Sequence, residues 1–133
     1  MFYASAPGRL AAAEREDIAR VVRGITGRNC VFPDDLSGDA VDEQRVESIR
    51  RAVATIADVA DGDLDAWVFA GAARGARRPV SVLASGDDLA VPTLLSGFRP
   101  RRYRNHVERV GLVHAAVYDH RRLFLDQEVL RWT

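Results

Sequence analysis

The sequence predicts a mainly α fold: a small helical bundle whose C-terminal part is either a β-hairpin or one more helix. Two observations carry this expectation. Apolar residues recur at intervals of three and four along Ile18–Ile25 and again along Val46–Ala60, the spacing that gathers side chains on one face of an α-helix. The strand-like signals, Trp67-Val68-Phe69 and Val80 to Leu83, are short, and a run of that length suits a buried strand or a buried helix alike. The alternative is an α+β arrangement with two N-terminal helices lying on an antiparallel sheet.

The first helix is read from Ile18, Val21, Val22 and Ile25, preceded by Leu10, with Glu14, Arg15, Glu16, Arg20 and Arg23 mostly off the apolar face and Gly24 and Gly27 as stopping points. Residues 32–39, rich in proline, glycine and aspartate, read as a loop. A second helix follows, capped by Asp39 or Asp42 and carried by Val46, Ile49, Val53, Ile56 and Ala60 to an end near Gly62. Asp63 can cap a short third helix that gathers Leu64, Trp67 and Val68, unless Trp67 to Phe69 form a strand. Pro79 to Ser85 fits a strand or a helix opened by proline, and Asp87-Asp88 before Leu89, Val91, Leu94 and Leu95 favours a helix. In the tail, Gly111–Tyr118 and Leu123–Leu130 can pair across Asp119 to Arg122 as a hairpin, while Val107, Val110, Val113 and Val117 also have helical spacing.

At 133 residues, with 47% apolar and 29% charged side chains, the chain has the length and composition of one self-supporting domain, with 97–133 as a C-terminal arm or hairpin. Its longest apolar run, about Ala66 to Ala73, is too short to span a membrane, and the N-terminus lacks the pattern of a secretory signal. These features predict a cytoplasmic protein. The single cysteine, Cys30, reads as a small core residue. All 19 basic residues are arginine. Zero net charge conceals an asymmetry: residues 1–73 hold 8 arginines against 13 carboxylates, and residues 74–133 hold 11 against 6. The basic half faces an acidic partner or the acidic half of its own chain.

Arg45-Val46, Trp67-Val68-Phe69, Arg77-Arg78-Pro79, Leu83, Gly86, Val91 and Leu94-Leu95 form an order that resembles the toxin-binding domain of Xre/MbcA/ParS-type antitoxins. The resemblance spans roughly residues 17–96; Gly71-Ala72-Ala73 stands where that family has a polar turn, and residues 97–133 have no counterpart in it. Asp17 to Val22 followed by Gly24 to Asn29 looks like a worn helix-turn-helix, with only Arg28 and Asn29 to offer DNA. The resemblance implies a non-catalytic protein, without cofactor, that blocks an NAD-consuming RES-domain toxin through its C-terminal tail.

Phe98 to His106 is the sharpest local feature. Arg99, Arg101, Arg102 and Arg104 interleave with Phe98, Tyr103 and Pro100, combining guanidinium forks for phosphate or carboxylate with stacking surface. These arginines, Tyr103 and the near-terminal Trp132 are the candidate partner- or nucleic-acid-binding residues, set against a solvated loop paired with the acidic half. A nucleic-acid-binding or ribonuclease-like α+β domain using Arg99–Arg104 is the second functional expectation. His114, Asp119, His120 and Asp126 lack the spacing of a metal site, and Asp58, Asp61, Asp63 and Asp65 lack the glycine and distal glutamate of a calcium loop. Helix ends and caps account for the aspartates. Phosphate loops, cysteine pairs and nucleophile elbows are missing from the sequence, so no catalytic residue, metal or cofactor is expected, and the oligomeric state stays open.

Overall fold

In the computed structural model, which describes residues 1–60, 63–86, 91–92, 95 and 97–125, the chain is an α/β protein built on a parallel sheet. Strand β1 is Phe2–Ala4, helix α1 Ala12–Thr26, helix α2 Val41–Arg51, strand β2 Thr55–Ala60, helix α3 Leu64–Gly75, strand β3 Val80–Ser85, strand β4 Arg101–Arg102 and helix α4 His106–Asp119. A short 3-10 turn occupies Pro33–Asp35, and 121–125 is helical. The sheet order is β1-β2-β3-β4, each pair parallel. Val31 adds a single parallel bridge to Phe2 on the free side of β1. Counting that bridge as a rudimentary second strand, the order becomes 2-1-3-4-5, which is that of flavodoxin-like doubly wound sheets.

The expectation of a mainly α bundle is therefore overturned, and so is its alternative, because the sheet is parallel and not antiparallel. The decisive segment is 53–60. Its apolar residues sit at helical spacing by coincidence, but α2 stops at Arg51 and Thr55–Ala60 is a strand buried at every position. A central parallel strand is covered on both faces and so reads as a nearly unbroken apolar run, without the alternation that marks a half-buried strand. The C-terminal hairpin is likewise replaced by α4, followed by helical 121–125. The segment from 101 to 125 is no detached arm, since Tyr103, Val113, Ala116, Val117 and Phe124 enter the core. The worn helix-turn-helix has no second helix: α1 runs on to Thr26, Gly27 closes it at φ 69°, and the chain continues to the Val31 bridge.

Helices cover both faces. On one, α1 and α4 pack with Ile18, Val22, Val113 and Val117 against Tyr3, Ile56 and Leu83. On the other, α2 and α3 bring Ile49, Ala66, Trp67, Ala70 and Ala73 against Phe2, Ala57, Val59 and Val82. Each large apolar side chain removed from water contributes about 1.5–3 kcal/mol. The alanines of α3 let its backbone lie close to the sheet. Asp63 caps α3 by accepting from the Asp65 amide, as expected, whereas α2 is opened by Ala40 at φ 61° with no side-chain cap, in place of Asp39 or Asp42. Among the described residues no helix is long and apolar enough to cross a membrane.

Candidate functional site

All four strands run the same way, so their carboxyl ends lie along one edge of the sheet, and α1, α3 and α4 start from it. Just inside that edge the core contains a carboxylate. Asp58, on the α1/α4 face of β2, is 1% exposed. Tyr3 Oη donates to its Oδ2 at 2.7 Å and Tyr103 Oη to its Oδ1 at 2.6 Å. Arg109 from α4 places Nη1 3.5 Å from Asp58 Oδ2 and 3.4 Å from Tyr103 Oη, while its Nη2 donates to Glu14 of α1 at 2.6 Å. His106 Nδ1 receives Arg109 Nε at 3.2 Å, and its Nε2 lies 3.0 Å from Asp17 Oδ2. An arginine can only donate, so His106 accepts at Nδ1 and carries its proton on Nε2, directed at Asp17.

Burial sets the electrostatics of this cluster. It raises the pKa of Asp58 above the usual carboxylate value, with both tyrosine hydroxyls and Arg109 pulling the other way. Burial, then the charge of Asp58, holds the Tyr3 phenol well above its ordinary range and pushes Tyr103 up to about 12. For Arg109 burial opposes the charge, but Asp58 and the two tyrosines outweigh it and raise its pKa. Glu14 is lowered, first by the Ala11 amide it accepts from; burial opposes this, and Arg109 adds to the lowering. Asp58, Tyr3 and Tyr103 thus engage one another and Arg109 Nη1, while the other Arg109 nitrogens go to Glu14 and His106.

Beside this cluster, the loop between β1 and α1 is fastened on both sides. The Gly8 amide donates to both Asp34 oxygens, at 3.3 and 3.1 Å, and Arg15 pairs with Asp34 at 3.0 Å. The Ala6 amide donates to Asp63 Oδ2 at 3.1 Å. The crossover on the Val31 side and the one on the β2 side therefore each present a carboxylate to the end of β1.

The arginine segment divides between surface and core. Arg99, Arg101 and Arg102 are exposed, with Arg101 3.7 Å from Asp119 and Arg102 Nη1 3.5 Å from the Gly86 carbonyl. Arg104 is engaged by Glu108 through Nε and Nη2 at 3.1 and 2.8 Å. Tyr103 is buried on Asp58 and offers no stacking face to a partner. Trp132 and Asp126 lie outside the described residues. His114 stacks on Tyr118, while His120 lies near Ser81, at 3.5 Å; no three metal-ligating side chains converge among the described residues. Asp58 is no helix cap but a core residue, and the sequence carries one sign of it: it is the only charged side chain between Val53 and Ala60. Nothing in the sequence marks Tyr3, Arg109 or His106 as its companions.

No family model matches this sequence, and no curated protein matches it. The class it belongs to is set by the fold alone, as an open, doubly wound parallel α/β domain.

Proposed function

We propose that this chain is a non-catalytic ligand-binding domain of the cytoplasm, holding a small hydroxylated ligand of the nucleoside type at the carboxyl ends of β1 and β2. The observation that carries the reading is the reversal of strand order at β1, with Val31 on one side and β2 on the other. In open parallel sheets the chain leaves such a point in opposite directions, and ligands, most often nucleotides, lie in the crevice between the two crossovers. That step is an analogy of fold; the choice of ligand rests on this chain's own side chains. Asp34 and Asp63 flank the loop after β1, and Glu14 caps the helix that follows. Carboxylates accept from sugar hydroxyls and repel phosphate, which favours a nucleoside over its phosphate esters. The non-catalytic part of the reading is supported by the mutual engagement of the buried acid, phenols and guanidinium.

The test is a thermal-shift and equilibrium-dialysis series with adenosine, uridine and their 5′-monophosphates, on the native chain and on Asp63→Asn, which keeps a helix-capping side chain. A nucleoside should stabilise the native chain more than its monophosphate does, and Asp63→Asn should weaken the effect. Absence of binding by both nucleosides would remove the reading.

A second reading, an interaction protein that neutralises an NAD-consuming toxin, draws support from the exposed Arg99, Arg101 and Arg102 at the last described strand of the sheet, a basic strip suited to an acidic partner. Its helical body is not this fold, so the strip and not the resemblance supports it. Co-expression with the product of the adjacent gene should then yield a stable complex and prevent NAD depletion; a neighbour that neither binds nor depletes NAD ends this reading.

A further inference from the structure

We infer that the groove along α3 binds a medium-chain monocarboxylate, an unbranched acyl chain with one acidic end, and that Arg74 recognises the acid. The inference is independent of the nucleoside reading. The groove holds about 660 Å³ and is lined by Leu64, Trp67, Val68, Pro92 and Leu95, a volume and a lining usual for small-molecule sites. Leu64 and Val68, exposed by 69% and 60%, form its wall along the first half of the helix. Gly71 and Gly75 leave the second half bare: a Cβ on Gly75 would meet nothing within 4 Å, and one on Gly71 only Leu95 Cδ2 at 3.9 Å. From Leu64 to Arg74 the helix rises about 15 Å. An apolar trough of that length suits a hydrocarbon chain laid along the helix, since the hydrophobic attraction that would hold it has no preferred direction.

Arg74 is the only charged side chain lining the groove among the described residues, and among them it has no carboxylate partner. Its guanidinium lies over the Phe98 ring, 5.2 Å from the centroid, and a Cβ on Gly97 would stand 3.5 Å from both of its terminal nitrogens. Phe98 and the bare backbone of Gly97 thus seat a cation whose donor fork is unspent, and such a fork matches a carboxylate with two parallel hydrogen bonds. Charge and length together select a chain with one anionic end. A neutral hydrocarbon leaves Arg74 unused, and a diacid brings its second charge to the start of α3, where Asp63 and Asp65 stand.

Isothermal titration calorimetry on the full chain with octanoate, decanoate and dodecanoate tests this, with decanol as the uncharged control. One ligand should bind per chain, about tenfold tighter for each two added methylenes, and decanoate should bind about fivefold tighter than decanol. Arg74→Gln should lower decanoate to the affinity of decanol and leave decanol unchanged, a selectivity that no general loss of folding would produce. Gly71→Leu, which fills the trough, should abolish binding of both with an unchanged circular dichroism spectrum. No binding by any of the three acids, equal affinity for decanoate and decanol, or decanoate binding untouched by Arg74→Gln or by Gly71→Leu would overturn the inference.

Discussion

Removing one oxygen from the core, by Tyr3→Phe, should destabilise the protein by about 2 kcal/mol at neutral pH. The ring keeps its packing against Phe32, at 5.5 Å between centroids, so the change isolates the hydroxyl. That hydroxyl donates to Asp58 Oδ2 at 2.7 Å, and a hydrogen bond to a charged group is worth about 1.5–3 kcal/mol net. Without it, Oδ2 is left with Arg109 at 3.5 Å. The loss should depend on pH, with a definite sign. Asp58 has a folded pKa above its unfolded one, so between those two values the native state binds more protons, and the stability due to this group falls as pH rises through that window. Deleting a donor to the carboxylate raises the folded value further and penalises the charged form most. The cost of Tyr3→Phe should therefore be larger at neutral pH than in mild acid. Urea unfolding at the two pH values measures it. With a slope of about 1–3 kcal/mol per molar urea, the neutral midpoint should fall by about 1 M. An unchanged midpoint, or a cost greater in acid, would refute this account of the cluster.

Glu14→Gln should flatten the acid limb of the stability curve. Glu14 has a lowered folded pKa, so its contribution is present above the unfolded value and is lost as pH falls through the folded one; acid titration followed by circular dichroism should show wild type and variant converging at low pH. Cys30, whose thiol burial pushes up to about 12, should resist a thiol reagent in the native protein and react at once in urea. Arg77 sits at φ 58° just past α3, so Arg77→Gly should stabilise by about 0.5–1 kcal/mol in thermal unfolding. Asn105→Ala removes the side chain that accepts from the Glu108 amide and should cost about 1 kcal/mol by the same measurement.

Parts of this architecture are legible in the sequence. Helix α1 follows from Ile18, Val22 and their neighbours and stops at Gly27, and the Asp63 cap of α3 is where its residue type places it. Val80, Val82 and Leu83 fit the strand they form. The sheet itself is hidden because an inner strand imitates a helix: Val53, just before β2, and Ile56 and Ala60 within it fall at helical spacing by coincidence, and burial of β2 on both faces removes the alternation that would mark a strand. β1 and β4 hold three and two residues, too few for any periodicity. The polar cluster is harder still to foresee. Hydrogen bonds join residues 55, 45 and 51 positions apart, and no local pattern encodes such pairings. Arg101 to Arg104 look alike in sequence, yet Tyr103 among them faces the core, because register with β3 decides which side chain turns inward.

The cluster around Asp58 draws on residues 3, 14, 58, 103, 106 and 109, so no fragment of the polypeptide that ends before the start of α4 can assemble it. A chain cut between β3 and β4 would leave a desolvated acid without Tyr103 or Arg109, a penalty the remaining half could relieve only by letting water in. Splitting the protein there for complementation should yield two pieces that stay unstructured apart and regain order only on mixing.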